Sequence, residues 1–234
     1  MVSSFWRSIV GYKKREKRNL LDILLHLVIY SLRIMNIPAC TGTYIEEVIA
    51  SLTELYTDVE NATHAFASRY GIACPPGCGS CCEHFIPDIT HSEAAYIAAY
   101  LLFELKDEEM IERVYRHSGA GCPLYRADTP FHCSVYPARP LICRLYASSA
   151  YHDKYGKALF RSCKYEETNT MPKHLSFDER VVTMQDFAYR LRSLDRDRGR
   201  LSLLSELLPK LLEQLQFIAA LVPAQDGPEE PLAG

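Results

Sequence analysis

Apolar side chains recur at helical spacing between Thr43 and Tyr70, and acidic residues lie between them. The apolar positions are Ile45, Val48, Ile49, Leu52, Tyr56, Val59, Phe66 and Tyr70. This period places them on one face of a helix, which can then pack on a protein core. Gly71 follows, and glycine readily takes the left-handed conformation that ends helices. The pattern predicts one long helix that ends near Gly71.

Three later segments also show the helical period. The letters THSE at residues 90–93 fit a capping box, in which Thr and Glu satisfy the first backbone N–H groups of a helix. The apolar stretch that follows predicts one helix or two. Further helices are expected from Ser176 to about Leu194 and from Leu201 to about Leu221. The chain is therefore expected to be mainly α.

An N-terminal apolar stretch, LLDILLHLVIYSLRIM, follows a run of basic residues. Asp22, His26 and Arg33 interrupt it on one helical face, so it lacks the roughly 20 apolar residues of a membrane-spanning helix. The same charges argue against an export signal. We expect residues 1–42 to form a basic segment with an amphipathic helix, packed on protein or weakly on a membrane surface.

Length and composition fit a soluble globular protein with one generous domain or two small ones. The chain has 234 residues, 48% of them hydrophobic, with a formal net charge of -3. This near balance of charge favours neither nucleic acid nor a strongly acidic partner. We expect a helical metal-binding domain over residues 43–222 and a disordered tail over residues 223–234, where core-forming side chains are lacking. Protein partners cannot be read from the sequence.

Cysteine usage carries the chemical information. Four of the nine cysteines lie in CPPGCGSCC, residues 74–82, and four more follow in a proline-rich segment from Gly121 to Cys163. Such segments predict two irregular, cysteine-rich metal-binding loops of short turns, with a small hairpin near FHCSVY, around which the helical domain is organised. Loops of this kind bury few apolar side chains. Metal binding can order them because its free energy is also folding free energy. The predicted metal ligands are Cys74, Cys78, Cys81, Cys82, Cys122, Cys133, Cys143 and Cys163.

A disulfide framework is the alternative reading of these cysteines. It requires an oxidising compartment and usually belongs to a smaller domain, and a disulfide between the neighbours Cys81 and Cys82 would close a strained ring. We therefore expect a cytoplasmic protein with metal-bound thiolates. The ninth cysteine, Cys40, ends the letters IPAC, which have some likeness to a lipoprotein cleavage box. The simpler reading of Cys40 is a small buried side chain.

Eight thiolates fit several centres. They suit two four-coordinate zinc or iron ions, a bridged pair of metals, or a [4Fe-4S] cluster with cysteines to spare. Each centre carries surplus negative charge, which nearby cations are expected to offset: Arg139, Arg144, Arg161 and Lys164. His84 and His132 are candidate substitute or outer ligands, whereas His91 belongs to the capping segment.

These motifs carry a family resemblance. The succession CPPGCGSCC, CPLY, CSVYPARPLICRLY and Cys163 resembles the YkgJ-type cysteine-cluster family, the zinc- or iron-chelating CxxCxxCC domains, over roughly residues 70–165. The resemblance implies a metal or iron–sulfur site at these cysteines. A related cysteine cluster accompanies flagellin lysine methylation, so the resemblance also raises a link to methyl transfer.

Several functions remain open at this level. The eight-sulfur count favours an iron–sulfur cluster or a two-metal site suited to redox chemistry. The family resemblance adds the link to methyl-transfer-related chemistry. The alternatives are a structural zinc module and a metal-handling protein without catalytic activity. Radical S-adenosylmethionine enzymes have the same spacing as Cys74, Cys78 and Cys81. Those enzymes have a partial or complete α/β barrel, and this chain lacks the strand–helix alternation of such a fold. No catalytic residue is identified, because the serines show no partner pattern and the tyrosines near the second cysteine segment fit packing. Enzyme activity is therefore undecided.

Overall fold

The fold was analysed in a computed structural model, which describes Ile37 and residues 40–72, 78–128, 132–164, 174–177 and 181–221. Three predictions lie outside these residues: the N-terminal amphipathic helix, the tail over residues 223–234, and the position of Cys74. The described part is mainly α, as predicted, with small sheets.

Helices form most of the described chain. They are α1 (Tyr44–Tyr70), α2 (His91–Ala99), a π-helical segment (Tyr100–Leu105), α3 (Glu108–Tyr115), a 3-10 turn (Tyr136–Ala138), α4 (Leu141–Leu145), α5 (Met184–Leu194) and α6 (Leu204–Leu221). The strands are β1 (Asp88–Ile89), β2 (Tyr151–His152), β3 (Ala158–Arg161), β4 (His174–Phe177) and β5 (Ser202–Leu203). Strand β1 pairs with β5, and β2, β3 and β4 form a second antiparallel sheet.

The long helix α1 confirms the first prediction. Its apolar stripe is buried against α2, α4 and α5. Gly71 ends the helix in the left-handed conformation, with φ of 65°. The Ile72 N–H then donates to the Ala67 carbonyl at 3.1 Å, which satisfies one of the last backbone acceptors. Helix α1 is thus the scaffold on which the other helices pack.

The capping box is also confirmed. Thr90 accepts a hydrogen bond from Glu93 N–H, and Glu93 in turn accepts one from Thr90 N–H at 2.9 Å. The stretch that follows divides into α2, the π-helical segment and α3. The division falls at Lys106, whose φ of 51° cannot continue a helix. Helix α6 lies within the predicted range and buries Leu204, Leu208, Leu211 and Leu215 on one face.

One predicted helix starts too early. Ser176 and Phe177 belong to β4, and α5 begins only at Met184, behind a capping box formed by Thr183 and Asp186. The sheet of β2, β3 and β4 was not predicted. It covers a small apolar cluster that is separate from the main core. The members of this cluster are Phe66, Ile72, Ala150, Ala158, Phe160 and Phe177.

Glu93 ties three helices together inside the core. Its Oε2 accepts from Thr90 N–H, and its Oε1 accepts from the Leu141 N–H at 2.7 Å and from the Tyr56 hydroxyl at 3.3 Å. The carboxyl group is buried, and burial raises the pKa of Glu93. The Leu141 N–H opens α4, the helix that carries Cys143, so Glu93 fixes that helix against α1 and α2.

We expect Glu93→Gln to lower the free energy of unfolding by about 2 kcal/mol, because a buried donor is left without an acceptor. Each Glu93 oxygen accepts from a backbone N–H that cannot turn away, so the glutamine NH₂ must face one of them. Urea unfolding of the variant measures the loss. Glu47→Gln, at an exposed position of α1, is the matched control and should stay within about 0.5 kcal/mol of wild type. Equal stability of the two variants would contradict this role of Glu93.

Candidate metal centre

The structure describes the first cysteine segment from Cys78 onward, and residues 78–84 form a succession of tight turns. The Cys82 N–H donates to the Gly79 carbonyl at 2.9 Å, and the His84 N–H donates to the Cys81 carbonyl at 3.2 Å. These turns hold the Sγ atoms of Cys81 and Cys82 4.0 Å apart, as two thiols. The Cys78 Sγ lies 3.5 Å from the Ser80 hydroxyl. Three sulfurs therefore project from one short segment.

The second segment brings in cysteines from three kinds of local structure. Cys133 pairs with Tyr125 in an antiparallel bridge, in line with the hairpin expected near FHCSVY. Cys122 opens the turn before this bridge, where its carbonyl accepts from the Tyr125 N–H at 3.0 Å. Cys143 lies in α4, and Cys163 follows β3. The expectation of two irregular loops is therefore wrong for Cys143, because a short helix carries it.

Two glycines allow the cysteine segments to meet. The Cys122 N–H donates to the Cys82 carbonyl at 2.8 Å, which joins the segments directly. A Cβ at Gly121 would lie 2.5 Å from the Glu83 carbonyl oxygen, and a Cβ at Gly79 would overlap the His132 side chain. Only glycine fits such close approaches. The letters GCGS and GAGC contained this signal, but the sequence did not show which glycines face another segment.

Burial favours the protonated form of three thiols of the second segment, those of Cys122, Cys133 and Cys143. It raises the pKa of Cys122 to about 12, raises that of Cys133, and raises that of Cys143 well above its ordinary value. Cys81 and these three cysteines also affect one another: in every pair, the charge of one thiolate raises the pKa of the other cysteine. Ionisation of one of the four therefore makes ionisation of the others harder.

The vicinal pair behaves differently from these buried thiols. Cys82 donates a hydrogen bond to Cys81, which lowers the pKa of Cys81 to about 7. The same bond raises the pKa of Cys82, because the donor must keep its proton. Cys81 is thus the thiol of the group that ionises most easily, and the charges of Cys81, Cys133 and Cys143 all act on Cys82.

Metal coordination by these side chains stays a prediction. Among the described residues, no three His, Cys, Asp or Glu side chains are arranged as the ligands of one ion. The chemistry of the donor set nonetheless fits zinc or iron, which thiolates bind readily. Cys81, Cys82, Cys122, Cys133 and Cys143 are electrostatically coupled, whereas the contact recorded for Cys78 is with Ser80.

The predicted counter-cations have different roles. The charge of Arg139 lowers the pKa of Cys81, Cys133 and Cys143. Arg144 is buried and has other partners: it pairs with Glu60 at 2.6 Å, donates to the Pro137 and Arg139 carbonyls, and stacks on Tyr56. Its main role is therefore to hold the segment before α4 against α1. Arg161 lies exposed on β3, and Lys164 lies just after Cys163.

The three histidines near the cysteines also lie in different surroundings. His132 Nδ1 lies 3.1 Å from the Arg126 carbonyl oxygen. Because a carbonyl only accepts, Nδ1 carries the proton and Nε2 keeps its lone pair, the arrangement usual for a metal-binding histidine. His84 is exposed, and His91 opens α2 within the capping segment.

The raised thiol pKa values predict a pH dependence of metal binding. Cys122, Cys133 and Cys143 are thiols at neutral pH in the metal-free protein, so binding as thiolates must release their protons. The affinity for zinc should therefore weaken as pH falls, by about tenfold per pH unit for each proton released. Chelator-competition titrations at several pH values measure the slope. A pH-independent affinity would contradict binding by these thiols.

One comparison with known proteins finds a similarity in the cysteine segments. Residues 73–173 match the family model described as "CxxCxxCC: Putative zinc- or iron-chelating domain". Searches of the curated proteins and of the solved structures find no match to this chain. No helix among the described residues is long and apolar enough to cross a membrane. Residues 73–173 are thus similar to this domain family, as the order of the cysteines predicted.

Proposed function

We propose that the protein binds zinc or iron through a centre formed by Cys81, Cys122, Cys133 and Cys143. The observation that carries the proposal is the direct meeting of the two cysteine segments, where the Cys122 N–H donates to the Cys82 carbonyl at 2.8 Å and the Cys82 Sγ lies 4.0 Å from that of Cys81. The charges of the four cysteines also act on one another in every pairing. A divalent metal would offset their mutual repulsion when they bind as thiolates. The family match to a zinc- or iron-chelating domain supports the same conclusion.

The chain's own residues prepare this centre. Gly79 and Gly121 let the two segments approach, and Glu93 fixes the start of α4. Cys82 donates to Cys81 and so favours the thiolate form that a metal requires. An iron or iron–sulfur centre would supply redox chemistry or an electrophile for methyl-transfer-related reactions, whereas a zinc centre would order the two segments.

Cobalt(II) titration of the metal-free full-length protein tests this function. Binding by thiolates produces sulfur-to-cobalt charge-transfer absorption, and the ligand-linked gain in stability raises the thermal midpoint. We expect both signals to saturate together, and zinc to displace the cobalt. A titration without charge-transfer absorption and without thermal stabilisation would overturn the proposal. If the wild-type protein binds two ions, alanine variants of Cys78 and Cys163 test whether the second ion uses the remaining cysteines. Such variants would lower the stoichiometry from two to one.

A further inference from the structure

The end of α5 and the turn that follows it are rich in exposed arginines. Arg192, Arg196, Arg198 and Arg200 all expose their side chains, and Asp197 is the one exposed carboxylate among them in this stretch of the described chain. No ion pair joins these four guanidinium groups to a carboxylate of the described residues. A chain with a formal net charge of -3 therefore carries a strongly basic surface at this turn.

Buried contacts hold the arginine turn in one conformation. Asp195 Oδ1 accepts from the Ser92 N–H at 2.9 Å and from the Ser92 hydroxyl at 2.8 Å, which ties the turn to the start of α2. Asp195 Oδ2 accepts from the Gly199 N–H at 3.0 Å. Gly199 packs on the side chain of Arg192, which a Cβ at that position would overlap. The arginines are thus displayed on a fixed support, so a ligand need not order the backbone when it binds.

Tyr189 extends this basic surface along α5. Phe187 and Leu191 face the core, so Tyr189 and Arg192, three residues apart, lie together on the solvent side of the helix. The Tyr189 side chain is 76% exposed. An exposed ring beside cations offers a flat surface on which another planar group can stack.

The hairpin of β2 and β3 repeats this combination at its tip. Tyr155 is 82% exposed there, between the exposed side chains of Lys154 and Lys157. The Asp153 carboxylate accepts from the N–H groups of Tyr155 and Lys157 at 2.8 and 2.9 Å, so it serves to hold the turn. The tip is therefore also fixed, basic and aromatic.

A hydrogen bond connects the hairpin to α5. The His152 N–H, just before the hairpin tip, donates to the Gln185 side chain at 3.1 Å. Gln185 lies one helical turn before Tyr189 on the solvent side of α5. The two surfaces thus adjoin, and we call them together the basic band. Its members are Lys154, Tyr155, Lys157, Tyr189, Arg192, Arg198 and Arg200.

We propose that the basic band binds single-stranded nucleic acid, with its cations on the phosphates and its two tyrosines stacked on bases. Guanidinium groups match the oxygens of a phosphate, and an exposed ring can stack on any base. A flexible strand can follow the band from the hairpin to the arginine turn. The net charge of the whole chain did not indicate such a partner, because it averages this surface with acidic ones such as the first turn of α1. The inference is independent of the metal centre.

The triple variant Arg192→Gln, Arg198→Gln, Arg200→Gln tests the arginine turn in the full-length protein. The probe is a fluorescein-labelled single strand of thymidylate, about 16 nucleotides long, followed by fluorescence anisotropy at several salt concentrations. Loss of three phosphate contacts should weaken binding about 100-fold at roughly 0.1 M salt and reduce the slope of log affinity against log salt by about 2.

The triple variant Lys106→Gln, Arg116→Gln, Lys210→Gln is the matched control. It removes the same charge from exposed positions outside the band, so its affinity and salt slope should match wild type. Equal losses in the two triple variants would overturn a site at the arginine turn. Wild-type protein that does not bind the strand at all would overturn the proposal as a whole.

Tyr155→Ala and Tyr189→Ala separate stacking from charge. Each should weaken binding about tenfold without a change of salt slope, whereas Tyr155→Phe and Tyr189→Phe keep the ring and should bind as wild type does. Wild-type affinity in both alanine variants, or equal binding of polyglutamate, would show that any polyanion suffices and would overturn the proposal. Phosphatidylserine vesicles that bind the protein more tightly than the strand does would identify a membrane-docking surface and overturn it as well.

Discussion

Cys81→Ala should lose its metal and its folding stability together. Cys81 interacts with every other thiol of the proposed centre and is the one that ionises most easily. Because the free energy of metal binding is part of the free energy of folding, loss of one ligand should empty the centre and lower the thermal midpoint. Metal analysis and thermal unfolding of the same preparation measure the two effects. We expect the bound metal to fall to near zero.

Cys40→Ala is the matched control for this experiment. Cys40 is buried in the main core, and burial raises its pKa. The substitution removes a thiol and leaves a small cavity, so we expect a loss of about 1 kcal/mol with full metal content. Full metal content and an unchanged thermal midpoint in Cys81→Ala would sink the four-cysteine centre.

Gly121→Ala should separate the two cysteine segments. The added Cβ would meet the Glu83 carbonyl oxygen, which is backbone and cannot turn aside as a side-chain end would. The clash also strains the hydrogen bond from Cys122 to Cys82 in the adjoining residues. We expect a loss of about 3 kcal/mol in the free energy of unfolding, at the upper end of overpacking effects, and weaker metal binding.

Gly119→Ala, two residues earlier, separates steric from general effects. A Cβ at Gly119 meets only the His117 ring, at an ordinary contact distance of 3.5 Å. Its stability should therefore stay within about 0.5 kcal/mol of wild type, and its metal affinity should be unchanged. Equal behaviour of the two alanine variants would contradict the close approach at Gly121. Urea unfolding and chelator competition supply both comparisons.

The fold was predictable where the information is local. The period of α1, its end at Gly71 and the capping box of Thr90 and Glu93 each depend on residues within a few positions of one another. The sheet of β2, β3 and β4 was missed because its strands have only two to four residues, too few to show an alternating pattern. The same reason explains why the start of α5 was placed too early.

The candidate site, like the fold, was predictable only where the information is local. Cysteine spacing and order were sufficient to predict the match to the family model, since they are properties of the chain itself. The role of Glu93 in fixing α4 could not be predicted, because Leu141 lies 48 residues away. The sequence likewise does not show that the charge of Arg139 lowers the pKa of Cys143 whereas Arg144 pairs with Glu60. Such differences arise only when the segments are packed together.

Analysis of metal and acid-labile sulfide in protein purified without air tests the central claim most directly. We predict stoichiometric zinc or iron, with metal content that disappears in Cys81→Ala and persists in Cys40→Ala. Iron with sulfide and visible absorbance would identify a cluster, and zinc in a colourless solution would identify a structural or metal-handling centre. Purified protein that contains neither metal, takes up neither on addition, and leaves its thiols open to alkylation would contradict a metal centre at these cysteines.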